Sequence, residues 1–348
     1  MKLTKHWFWP ATFFLATSAM AQSSITLYGN VDASVYYQSR SPGNTGSAYE
    51  FLDGGLYPSF WGLTGKEDLG NGVKIGFKLE SGFSSGNGTL SNGNDNFFGR
   101  FAYVEAETPV GTVRAGTQFS PFFFAVIDTD PQNFPNHASG IVPYLATIGG
   151  AGVVNSNTVS YSSPDVAGFS GAAMYGFGGM AGNFKASAAM AFSGKYSRHG
   201  LLAEVAYYHE NDSLGQPSAI ARLAGVSYQF GPVRVSTVVT NFKAPANAIG
   251  NVNVYAAGAA YGISPDIQIG LGIYASRDQD HSENRSMLYG LNGEYLLSKR
   301  TMLYAQVGVV NNKGNMGTGL NSQGGPQTFT GFPPGTTVAA NLGINHSF

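Results

Sequence analysis

The sequence predicts an all-β fold: a 16-stranded antiparallel transmembrane β-barrel with short periplasmic turns and long extracellular loops. Three observations predict it. Apolar and polar residues alternate at a period of two over long runs downstream of residue 22. The connections between those runs come in two lengths that take turns, which is the pattern of an outer-membrane barrel. Charged residues make up 11% of the chain, against about 25% in soluble proteins, yet mean hydropathy is −0.06. A strand with one face in lipid and one in water averages to that value.

The composition excludes other classes. The chain has 348 residues, no cysteine, 48 glycines, 19 tyrosines and 24 phenylalanines. Few charges and many aromatics oppose disorder. The absence of cysteine excludes a disulfide scaffold, and glycine without a period of three excludes collagen. A formal net charge of −1 and no basic run argue against nucleic acid as a partner.

Residues 1–21 read as a signal peptide: Lys2 and Lys5 lead an apolar stretch from Trp7 to Ala19, closed by Ala19-Met20-Ala21. The expected mature chain, 22–348, is one barrel domain placed in the outer membrane. No apolar run of membrane-helix length follows the signal.

The strands begin at Ser24. Ile25, Leu27, Val31, Ala33, Val35 and Tyr37 share one face, and Thr26, Tyr28, Asn30, Asp32, Ser34 and Tyr36 the other. The alternation returns in 73–81, 267–276 and 301–310, and weakly in 252–263. Short turns are expected at 68–72, 108–111, 164–168, 197–200, 231–232, 264–266 and 298–300. Long loops are expected at 39–58, 82–96, 119–155, 178–185, 211–218, 243–250, 277–285 and 311–335. Counting strands between these marks gives 16, with both termini on the short-turn side. Closure is a physical demand, because an open sheet edge in hydrocarbon leaves backbone N–H and C=O groups unpaired. The last strand alternates Ala340, Leu342, Ile344, His346 and Phe348 against Asn341, Gly343, Asn345 and Ser347. An aromatic carboxy-terminus on such a strand looks like the signal read by the barrel-assembly machinery, with Ile344, His346 and Phe348 carrying it.

Several segments carry a family resemblance. They are Ser24-Ile25-Thr26-Leu27-Tyr28-Gly29, then Trp61-Gly62-Leu63-Thr64-Gly65-Lys66-Glu67-Asp68-Leu69-Gly70-Asn71-Gly72, then Lys78-Leu79-Glu80-Ser81-Gly82-Phe83. Phe98-Gly99-Arg100-Phe101-Ala102-Tyr103-Val104, Gly111-Thr112-Val113, Tyr161-Ser162-Ser163-Pro164 and Ala173-Met174-Tyr175-Gly176-Phe177-Gly178 follow, and Gly343-Ile344-Asn345-His346-Ser347-Phe348 closes the chain. In order and spacing the whole mature chain resembles the Gram-negative general porins, particularly the trimeric β-proteobacterial type. The resemblance implies a homotrimer in outer-membrane lipid and lipopolysaccharide. It also implies a water-filled pore for small hydrophilic solutes and ions, narrowed by an inward-folded third loop.

That loop matches 119–155, a connection long enough that it should be functional. The resemblance implies a constriction with loop acids, here Asp128 and Asp130, facing wall cations. Strand parity turns Arg100 and Arg114 inward, with Lys66, Lys74 and Lys78 on neighbouring strands. Phe122, Phe123, Phe124 and Phe134 make the loop aromatic, so a solute-specific channel with an aromatic binding track stands as the alternative. The chain departs from the family at Phe60, Thr64, Gly116-Thr117-Gln118 and Asn345, where relatives often carry arginine or lysine. Either anion preference is weaker here, or other cations such as Arg234 and Lys66 supply the charge.

Nothing else points to chemistry. Gly82-Phe83-Ser84-Ser85-Gly86 fits a nucleophile-elbow pattern but opens a loop rather than a strand-to-helix turn. The glycines of 176–182 precede no βαβ unit. Asp278, Asp280 and Glu283 read as solvated loop acids, and the histidines lack metal-site spacing. The sequence therefore predicts neither catalysis, cofactor nor metal.

Overall fold

A computed structural model describes residues 24–348 apart from 42, 44–45, 93, 148–152, 248, 322–331 and 333. The expected signal segment lies outside the described residues.

Alternation becomes a closed wall. The strands are β1 (Ser24–Gln38), β2 (Ala48–Asp53), β3 (Phe60–Gly70), β4 (Val73–Gly82), β5 (Phe101–Thr108), β6 (Gly111–Phe119), β7 (Val154–Ser162), β8 (Phe169–Gly176) and β9 (Ala189–Arg198). They continue with β10 (Leu201–Asn211), β11 (Pro217–Phe230), β12 (Val233–Lys243), β13 (Asn251–Ser264), β14 (Ile267–Asp278), β15 (Arg285–Leu296), β16 (Thr301–Lys313) and β17 (Gly335–Ser347). Consecutive strands pair antiparallel except β2 and β3, which run in the same direction along β1, and β17 closes on β1 from Asn30↔Ser347 to Gln38↔Ala339. The 17 segments form 16 staves, because β2 and β3 lie end to end along β1. Leu52 faces Ser34, and Leu63 faces Leu27.

Residues 39–58 were expected to be loop throughout. Instead Ala48–Asp53 extends the wall, with Leu52 buried inward and Tyr49 and Phe51 exposed outward. Gly54, Gly55 and Pro58 interrupt the stave and hide its period from sequence reading.

Side-chain parity follows the expectation. On β1, Ile25, Leu27 and Val35 are exposed on the outside, whereas Asp32, Ser34 and Tyr36 are buried inside. None of the described helices is long and apolar enough to cross a membrane, so the crossing is made by strands.

The third loop is not structureless. It contains α1 (Pro121–Thr129) and α2 (Val142–Thr147) and lies inside the barrel. Ser120 caps α1, its Oγ accepting from Phe123 N–H at 3.0 Å, and Pro121 occupies the first turn, where no N–H is needed. Phe122 is fully buried against Tyr208 and Phe242, and Tyr144 stacks on Phe242 at 5.9 Å. Burying one such ring stabilises the seat by about 1.5–3 kcal/mol.

The wall makes room for this loop with glycine. Gly258, Gly272, Gly290 and Gly308 are register partners across β13–β16 and form one inward row. A Cβ on Gly290 would sit 2.6 Å from the Ala138 carbonyl oxygen, and one on Gly225 of β11 would sit 2.6 Å from the Thr129 Cβ. Loop backbone lies where side chains would otherwise project.

Candidate pore constriction

The inward faces of β3–β6 carry a ladder of ion pairs. Lys66 Nζ meets Glu107 at 2.5 Å and Glu105 at 3.5 Å. Arg114 Nε meets Glu105 at 2.9 Å, Lys78 meets Glu80 at 3.4 Å, and Arg100 Nε, just ahead of β5, meets Glu80 at 2.5 Å. Lys74 lies beside the short β3–β4 turn, 3.9 Å from Asp68. Five cations therefore share one wall with four carboxylates. Aromatic rings also serve the cations: Lys78 lies 4.1 Å from the Phe101 ring centroid, and Arg100 lies 4.7 Å from that of Phe60. Phe60 is one of the positions where the resembled family often has arginine.

Opposite this wall stands α1. A 390 Å³ cavity separates them, lined by Lys78, Glu80, Arg100 and Arg114 on one side and by Phe124 and Ile127 on the other. Of the loop aromatics, Phe124 is 43% exposed and borders the lumen. Phe122 is turned into the wall. Phe123 packs between Phe119 and Phe134, with centroids at 4.9 and 5.3 Å.

The two loop acids separate. Asp128 pairs with Lys195 of β9 at 2.8 Å. Asp130 is fully buried rather than facing the wall arginines. It accepts from Ser139 Oγ at 2.6 Å, Tyr274 OH at 3.1 Å, and the backbone N–H groups of Gln132 and Phe134. Burial raises its pKa against the opposing pull of those hydrogen bonds. Asp130 is thus a loop-folding residue. Among the described residues no ion pair joins either loop acid to Arg100 or Arg114.

The spare cations are also occupied. Arg234 of β12 donates through Nη2 to the Asp128 carbonyl oxygen at 3.0 Å and through Nη1 to Asn133 Oδ1, so it closes the C-terminal end of α1. His137, within the loop, is fully buried, with the Tyr36 ring edge-on at 5.5 Å and neither ring nitrogen hydrogen-bonded; burial pushes its pKa down to about 3.

Sequence reading missed Glu80, Glu105, Lys195 and Glu204 as lumen charges. Lys195 and Glu204 are register partners on either side of the short 197–200 turn, so counting back from that turn would have found them. At the carboxy-terminus, Phe348 exchanges backbone hydrogen bonds with Gly29 at 3.1 and 3.0 Å, and its ring covers the space where a Gly29 Cβ would project. Ile344 faces outward, and His346 Nδ1 lies 2.9 Å from Thr301 Oγ1.

A closed 16-stave barrel with a helix-bearing loop folded into its lumen defines an outer-membrane channel protein. The chain belongs to the Gram-negative porin family, whose model matches residues 10–315. It is 30% identical to outer membrane porin protein 32 of Delftia acidovorans, across 95% of this chain and 96% of that protein. It is 26% identical to a major outer membrane protein P.IB of Neisseria gonorrhoeae, across 84% and 90%. Among solved structures it is similar to an anion-selective porin from Comamonas acidovorans, with a TM-score of 0.81 and 25% identity over 94% of this chain and all of that one. The trimer form of Vibrio cholerae OmpT shares the fold, with a TM-score of 0.69 at 12% identity, 94% of this chain and 99% of that one. The protein is an outer-membrane porin.

Proposed function

We propose that this porin is a general diffusion channel with little preference between anions and cations, and that its constriction lies between α1 and the β3–β6 wall. One observation carries the reading: each of Lys66, Lys74, Lys78, Arg100 and Arg114 has a carboxylate on the same wall within 4 Å. A charge compensated at ion-pair distance projects a dipole, whose field falls faster than that of a bare charge and is screened further by salt in the pore. Solutes are selected by size at the gap between Phe124 and the wall. The anion selectivity named for the Comamonas acidovorans porin does not carry over on this reading.

The alternative, a solute-specific channel with an aromatic track, has less support. Three of the four loop phenylalanines are spent on packing, which leaves Phe124 alone rather than a row of rings. We also assign a homotrimer, by analogy with the Vibrio cholerae trimer form. Its lipid-facing belt includes Ile25, Leu27, Val35 and Leu342, and Phe348 is read by the assembly machinery. Lipopolysaccharide surrounds the loop end.

Uptake into liposomes containing the protein tests the reading. Rates for neutral sugars should rise linearly with concentration and fall steeply with solute size. Saturation for one solute class at low concentration supports the solute-specific alternative instead.

A further inference from the structure

A recess of about 200 Å³ opens sideways from the lumen beyond Phe124, between α1 and the wall of β6–β10. Asp128, Lys195 and Glu204 are among the residues that line it. Lys195 Nζ lies 2.8 Å from Asp128 and faces Glu204 across the β9–β10 register. Among the described residues Lys195 is ion-paired to Asp128 and no ion pair reaches Glu204. Glu204 is 5% exposed, and its Oε2 is buried with no hydrogen-bond partner. A buried carboxylate oxygen without a donor is a costly arrangement. Arg114 also lines the recess but is held by Glu105 at 2.9 Å, so each of the two cations there already has a carboxylate other than Glu204. The hydroxyls of Ser162, Ser170 and Ser193 also line the recess.

We propose that this recess binds a small solute through a primary ammonium group, with Asp128 and Glu204 supplying charge and the serine hydroxyls completing the acceptor set. An ammonium has three N–H donors and no acceptor, so it fits two carboxylates and a hydroxyl oxygen. The volume limits the occupant to about the size of an amino acid or amino alcohol. The recess is a side station on the solute path, so the proposal rests on the diffusion-channel reading and adds a solute class to it. Quaternary ammonium ions carry the same charge but have no N–H, and they gain little here.

Single-channel recording separates the two. Ethanolammonium chloride is compared with tetramethylammonium chloride at neutral pH, after KCl conductance has been measured on the same channels. Absence of KCl conductance defeats the channel reading itself. Where KCl conducts, ethanolammonium conductance should saturate in the millimolar range while tetramethylammonium conductance stays linear. Glu204→Gln should raise the half-saturating concentration about tenfold, equivalent to about 1.4 kcal/mol. Asp128→Asn, on the loop side of the recess, should do the same and covers the case where the wall variant does not fold. Linear conductance for both ions overturns the proposal. So does saturation that survives Glu204→Gln unchanged, because Asp128 alone would then account for it.

Discussion

Arg100 and Glu80 lie on one wall of the lumen with Nε and Oε1 2.5 Å apart, and Glu80 also accepts from Tyr28 at 2.9 Å. The guanidinium that strand parity turns toward the pore therefore arrives already paired. Its planar face rests on Phe60 and Phe119, with centroids at 4.7 and 5.3 Å, so its geometry is fixed as well as its charge. The same logic repeats at Arg114 with Glu105 and at Lys66 with Glu107.

Removing the carboxylate should unmask the arginine. Glu80→Gln keeps the shape and an acceptor for Tyr28 while deleting one negative charge. A unit charge about 6 Å from a permeating ion in a watery pore is worth about 0.7 kcal/mol. Its loss favours the anion and disfavours the cation by that amount each, so the chloride-to-potassium permeability ratio should rise about tenfold. Reversal potentials of variant and parent in the same KCl gradient check it, and an unchanged ratio contradicts the pairing argument.

The glycine row predicts a loop phenotype. Gly290→Val puts a branched side chain against the Ala138 carbonyl and Gln132, where the loop is seated. Overpacking of this kind costs about 1–3 kcal/mol. The loop should lift from the wall, conductance should rise, and the segment should become sensitive to protease in folded protein. Wild-type conductance with wild-type protease resistance would show that the loop does not depend on that row.

His137 predicts an acid response. Its native pKa of about 3 lies below the usual 6.5, so the folded chain holds it neutral while the unfolded chain takes up a proton. Its contribution is complete above pH 6.5 and is lost as pH falls from there toward 3, by about 1.4 kcal/mol per pH unit. Asp130 acts in the opposite sense, because burial disfavours its charged form and acid relieves that strain. His137→Leu isolates the first effect. The thermal transition of the variant should fall less than that of the parent between pH 7 and pH 4.5, as followed by the mobility of unheated protein on gels. An equal fall in both excludes His137 as the cause.

Much of this was legible in the chain. Strand β1 has the bounds its alternation announces, and the two-length connections gave the stave count. What escaped has physical reasons. β2 is short and separated from β3 by Gly54, Gly55 and Pro58, so its period is hard to detect. Helix α1 carries a readable start at Ser120-Pro121, but its phenylalanine run has no helical stripe of polar residues, because the helix packs on nearly every side. The placement of Asp130 depended on Ser139 and Tyr274, which meet it only in three dimensions. The ion-pair ladder needed strand register: Glu105 faces Arg114 across β5–β6, a relation invisible until the hairpin is closed.

The wall cations stand paired with carboxylates of their own wall. The most direct test is the reversal potential of the unmodified channel under a KCl gradient at neutral pH. The expected value is close to zero. A value approaching the chloride equilibrium potential would contradict it.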